Sequence, residues 1–138
     1  MAYINKDTTG KERALQVRNI LLAIRELNQS MEVNTVTKDL IAYIALNLNS
    51  IYNGIDVSVQ AWEKRGYWVK ADKFRMEWMW TLNTANKITK ALLSENYIEV
   101  IGALPTIFEK FGSTTLPKSA KLSDAVAGSY EKLVATKK

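Results

Sequence analysis

The chain has neither cysteine nor histidine. Their absence excludes disulfides, Ser-His-Asp and Cys-His nucleophile systems, and zinc sites built on nitrogen or sulfur. It also excludes haem or iron–sulfur ligation by those side chains and the Glu-x-x-His pairs of di-iron bundles. No GxGxxG or GxxxxGK(S/T) stretch occurs, so a nucleotide-phosphate loop has no support. No apolar run approaches the roughly 18 residues of a membrane span. The start, MAYINKDTTGKERA, lacks the apolar stretch of a signal peptide. A soluble, cytoplasmic protein without a cofactor is expected. Only two prolines and six glycines punctuate the 138 residues, and β-branched alternation is scarce, so little in the sequence suggests sheet.

What is present is helical periodicity nearly throughout. A first helix is expected from a cap at Thr8 or Thr9 to about Gln29, with Val17, Ile20, Ile24, Leu27 and Met31 in one stripe and Leu21 at its edge. Leu15 and Leu22 point the other way. A second helix, capped by Asn34, Thr35 or Thr37, runs from about Lys38 to Lys64, about 40 Å. Its stripe is Leu40, Ile44, Leu48, Ile51, Ile55, Val59 and Trp62. Arg65-Gly66-Tyr67 is the expected break, with Gly66 as the C-terminal cap. A third helix follows from about Val69 to Ser94. A fourth starts near Asn96 and ends at Gly112, with Tyr97, Val100, Ile101, Leu104, Ile107, Phe108 and Phe111 on one face. Pro105 removes the bond to Ile101 and is expected to kink that helix or split it. Short loops make successive helices antiparallel, so the expected fold is all-α: an up-down antiparallel four-helix bundle over residues 1–112. Residues 113–138, rich in Lys, Ser, Thr and Ala, are expected to be a loosely attached C-terminal segment. Its Leu122, Val126, Tyr130 and Leu133 make one short helix interrupted by Gly128.

The net charge of +5 is unevenly placed. Residues 1–61 are neutral, residues 62–90 carry +4, and residues 113–138 carry +3. All four tryptophans fall in AWEKRGYWVKADKFRMEWMW, Ala61 to Trp80, where charge is also concentrated. On a helical wheel Ala71, Phe74, Leu82, Ala85 and Leu92 gather around Trp78, which makes Trp78 core, as is Trp62 on the second helix. Trp68 falls at the corner and covers the bundle end. Trp80 lies about 160° from Trp78, beside Lys73, Met76, Asn83 and Lys87. Met76 and Trp80 are four residues apart, so they touch. An apolar pair on a nominally wet face marks a contact surface.

Leu15 and Leu22 make a second line opposite the first helix's core stripe, which suggests a helix shared between subunits. Leu15, Leu22, Met76 and Trp80 are therefore the candidate interface residues of a homo-oligomer. If the basic region instead binds RNA or single-stranded DNA, the Lys-rich tail assists. Lys64, Arg65, Lys70, Lys73 and Lys87 then contact phosphates while Tyr67 or Trp80 stacks on a base, along a groove from the corner down the third helix. The carboxylates Asp56, Glu63, Asp72 and Glu77 read as flank or surface charges, so no catalytic centre, metal site or small-molecule substrate is expected. In size, helical character and mild basicity the chain resembles helical accessory proteins that assemble on RNA, such as ribosomal-RNA intervening-sequence proteins and the small subunits of CRISPR effectors. That likeness is compositional and assigns no residue a role. The leading expectation is a non-enzymatic, self-associating interaction module, with nucleic-acid binding as the alternative.

Overall fold

A computed structural model describes residues 6–29 and 32–136, with side chains from Gly10 onward. Helix covers 82% of the described residues, and no strand occurs among them. Ordinary domains are roughly a third helical, so the class is all-α. The helices are α1 (Lys6–Gln29), α2 (Thr35–Lys64), α3 (Trp68–Leu93), α4 (Tyr97–Phe111) and α5 (Ser129–Thr136), with a 3₁₀ turn over Asp124–Val126. Among the described residues no helix is long and apolar enough to cross a membrane.

The boundaries follow from local chemistry. Helix α1 begins at Lys6, ahead of Thr8 and Thr9. Asn34 caps α2, its side chain accepting from the Thr37 N–H at 3.0 Å. Helix α2 ends where the Gly66 N–H donates to the Glu63 carbonyl and the Tyr67 N–H to the Trp62 carbonyl. That pair of bonds is a Schellman cap, and Gly66 supplies its left-handed residue at φ +82°. The α3–α4 corner repeats the cap, with Glu95 donating to the Leu92 carbonyl and Asn96 to the Ala91 carbonyl. There the left-handed position is held by Glu95, at φ 58°. Pro105 lies inside an unbroken α4 and does not split it. Ile101, whose carbonyl loses its partner to the proline, is on the exposed side of α4 and open to solvent.

Helix α2 is the axis of the fold. Its expected stripe from Leu40 to Val59 is buried, and at its N-terminal half burial extends around the helix from Leu40 to Ala45. It packs on α1, α3 and α5, while α3 packs on both α2 and α4, and α1 hardly meets α4. Among the described residues the fold has five helices with α2 at the centre, one more than the expected up-down antiparallel four-helix bundle. Val17, Ile20, Leu21, Ile24 and Leu27 of α1 enter the core; Met31 lies outside the described residues. The buried side of α3 is built mostly of small side chains, Ala71, Thr81, Thr84, Ala85 and Thr89 beside Ile88 and Leu92.

The C-terminal segment is anchored, which corrects its expected loose attachment. Val126 and Leu133 belong to the common core. The Asp39 carboxylate on α2 accepts from the Gly128 N–H at 3.2 Å and the Tyr130 N–H at 2.9 Å. Arg25 on α1 donates to the Ala120 carbonyl at 2.6 Å. The chain turns at Gly128, so the expected single short helix is a 3₁₀ turn followed by α5.

Candidate interaction surfaces

Trp62, Phe74 and Trp78 line up where the end of α2 meets the start of α3. The Phe74 ring lies 4.8 Å from Trp62 and 6.5 Å from Trp78. All three are half-buried against the core rather than enclosed by it, because both helices end here. Cations complete the cluster. The Arg13 guanidinium lies 5.5 Å from the Phe74 ring and 5.2 Å from Trp78, and the Lys70 ammonium 4.7 Å from Trp62. Burial pushes the Arg13 guanidinium below its ordinary pKa, with Glu77 opposing the shift.

Around this cluster opens a cleft of 790 Å³, lined by Trp62, Tyr67, Trp68, Lys70, Lys73 and Phe74 among others. Trp68 is 61% exposed and Tyr67 similarly so, with Val69 beside them. Sequence reasoning took Trp68 for a cover of the bundle end. It is the first residue of α3, past the cap, where no neighbouring helix reaches it. Three large side chains immediately after a cap glycine were the signal for this.

The charges at the corner sort by partner. Arg75 joins Glu63 at 2.9 Å and Asp72 at 2.7 Å, and the hydrogen bond it donates to Glu63, ahead of the other contacts, raises its pKa. Glu77 acts on Arg13. Glu63 and Asp72 thus share one cation, and Glu77 makes no salt bridge among the described residues. Lys64, Arg65, Lys70, Lys73 and Lys87 make no salt bridge among the described residues. The candidate carboxylates Glu63 and Asp72 are engaged structurally, and Asp56 accepts from Gln60 at 2.9 Å.

The other expected contacts are dispersed. Lys64, Arg65, Tyr67, Lys70 and Lys73 are all exposed at or beside the corner. Lys87 is about 21 Å further along α3 than Lys73. Between them Trp80 packs edge-on against Phe111 of α4, ring centroids 5.0 Å apart. The expected groove down α3 is therefore blocked. The tail is anchored at Asp39, about 38 Å along α2 from Lys64, so its described lysines, Lys118, Lys121 and Lys132, do not join the corner.

The interface candidates also separate. Leu15 is exposed, but Leu22 is only 4% exposed. It shares a side of α1 with Arg25, which holds residues 117–120. Trp80 is covered by Phe111, whereas Met76, one turn earlier, is 77% exposed. Helix α4 has 15 residues against 26 in α3, so antiparallel pairing covers α3 only back to Trp80. Sequence reasoning missed a further surface. Ile98 is 85% exposed, and Ile101 and Phe108 are exposed with it. With Pro105 they form a stripe along one side of α4, about 110° from its buried face of Val100, Leu104, Ile107 and Phe111. Phe108 continues into a smaller cleft lined by Leu21, Phe111 and Leu116, with Arg25 and Asn28 at its wall.

Among the described residues no group of three or more acidic, His or Cys side chains could hold a metal ion. Compared with known protein families, curated proteins and solved structures, the chain finds no match in any of the three.

Proposed function

We propose that the protein is a non-enzymatic helical module that self-associates, and that its contact is the outer side of α4. The exposed stripe of Ile98, Ile101, Pro105 and Phe108 carries the proposal. A two-fold contact sets one patch against its own copy, so the patch must not repel itself. This stripe contains no charged residue over about 15 Å of helix. Scattered apolar residues on a surface need no explanation, but a contiguous row along one helix does.

The area sets the strength. A standard interface buries about 800 Å² per partner. One face of a helix about 22 Å long and about 10 Å wide offers on the order of 200 Å². The contact must therefore extend across Phe108 onto the Leu21–Leu116 cleft, and the expected affinity is about micromolar. Leu22 is buried and Trp80 is half-buried against Phe111, so neither takes part; Met76 and Leu15 lie on other faces.

Sedimentation equilibrium tests this reading. The wild type should show a dimer at about 50 µM, well above such a dissociation constant. Ile101→Lys, an exposed substitution, should give a monomer with unchanged helix content. A monomeric wild type, or an Ile101→Lys dimer, overturns the proposal.

A further inference from the structure

We infer that the α2–α3 corner is a binding site for single-stranded nucleic acid, with Tyr67 and Trp68 as stacking platforms and Lys64, Arg65, Lys70 and Lys73 as phosphate contacts. Sites that hold single strands without sequence preference combine aromatic faces with a basic groove. The corner has both within one cleft. Tyr67 and Trp68 expose more than half of their surface, on adjacent residues where the chain enters α3. Lys70 and Lys73 line the same cleft, and Lys64 and Arg65 flank it at the end of α2.

The electrostatics favour an anion. Arg75 occupies Glu63 and Asp72, and Arg13 faces Glu77. One guanidinium thus serves two carboxylates, yet the four cations without a salt bridge among the described residues leave the corner net positive. A second copy of the chain is a poor occupant, since four cations would meet four cations. An anionic membrane would meet the same cations but offers no flat rings to stack on Tyr67 and Trp68. Duplex DNA hides the faces of its bases, which leaves the two rings nothing to stack on. Four phosphate contacts are few, so binding should be modest and strongly salt-dependent, with no base-edge readout.

Fluorescence anisotropy of a labelled oligo-dT of about 20 nucleotides, at about 50 mM salt where phosphate contacts are strongest, tests the site. Trp68→Ala and Tyr67→Ala remove exposed rings and should each weaken binding about tenfold. Lys70→Gln with Lys73→Gln should weaken binding and flatten the log–log salt slope by about 1.4. Lys87→Gln, beyond the Trp80–Phe111 contact, should change nothing. Absence of binding overturns the inference. So does equal loss in Lys87→Gln, unchanged affinity in Trp68→Ala, or capture by phosphatidylserine vesicles in place of the oligonucleotide. Ile101→Lys should bind as the wild type does, which separates this site from self-association.

Discussion

The outer side of α4 and the α2–α3 corner are both apolar surfaces left uncovered, but for different reasons and with different borders. Helix α4 is apolar around more of its circumference than α3 can cover. Val100, Leu104, Ile107 and Phe111 are used inward, and Ile98, Ile101 and Phe108 remain outside. The corner is open because α4 stops at Phe111, short of the first turns of α3, so Val69, Lys73 and Met76 have no helix over them. The α4 stripe carries no charge, whereas the corner is bordered by cations with no ion pair among the described residues. An uncharged surface suits its own copy; a cationic aromatic one suits a polyanion. Burial alone does not distinguish the two, and the charges beside them do.

The largest expected effect comes from breaking the seat of α4. Trp80→Ala removes the ring that Phe111 packs against and should cost about 3 kcal/mol in urea denaturation. Met76→Ala, one turn away but exposed, should stay within about 0.5 kcal/mol. Equal costs for these neighbours would mean that α4 does not end where the comparison requires. Smaller effects of opposite sign should come from the two corners, which share one cap geometry. Gly66→Ala puts a side chain at φ +82° and should lower stability by about 1 kcal/mol. Glu95→Gly relieves the same strain at φ 58° and should raise it by about 1 kcal/mol. The ion pair that Glu95 gives up, to Lys38 at 3.9 Å, is exposed and contributes little. Thermal or urea unfolding of both variants reads the signs directly.

Much of this fold was legible in the sequence, because helices declare themselves locally. The Arg65-Gly66-Tyr67 break, the Asn34 cap and the stripe from Leu40 to Val59 all lie where spacing and cap chemistry put them. Which helix covers which face was not legible. A wheel places Trp80 opposite Trp78 correctly, yet says nothing about α4 packing on that opposite side. On α4 the apolar arc is so wide that Ile101 and Phe108 read as core together with Val100, and only the neighbours decide which part is buried. Leu22 fails as a surface residue for a similar reason. The segment held by Arg25 comes from 92 residues further along the chain, a separation that no local pattern reports. Among the candidate nucleic-acid contacts, those at the corner are close in sequence as well as in space. Lys87 shares only the α3 face, and α4 divides that face.

Sedimentation velocity of the wild type with a labelled oligo-dT, at about 50 mM and about 500 mM salt, tests the separation of the two surfaces most directly. Apolar contact is not weakened by salt, whereas phosphate contacts are lost through counterion competition. The protein should remain dimeric at both concentrations, while the oligonucleotide co-sediments at the lower one and is released at the higher. Loss of dimer and oligonucleotide together at high salt would contradict two independent surfaces and point to a single charged one.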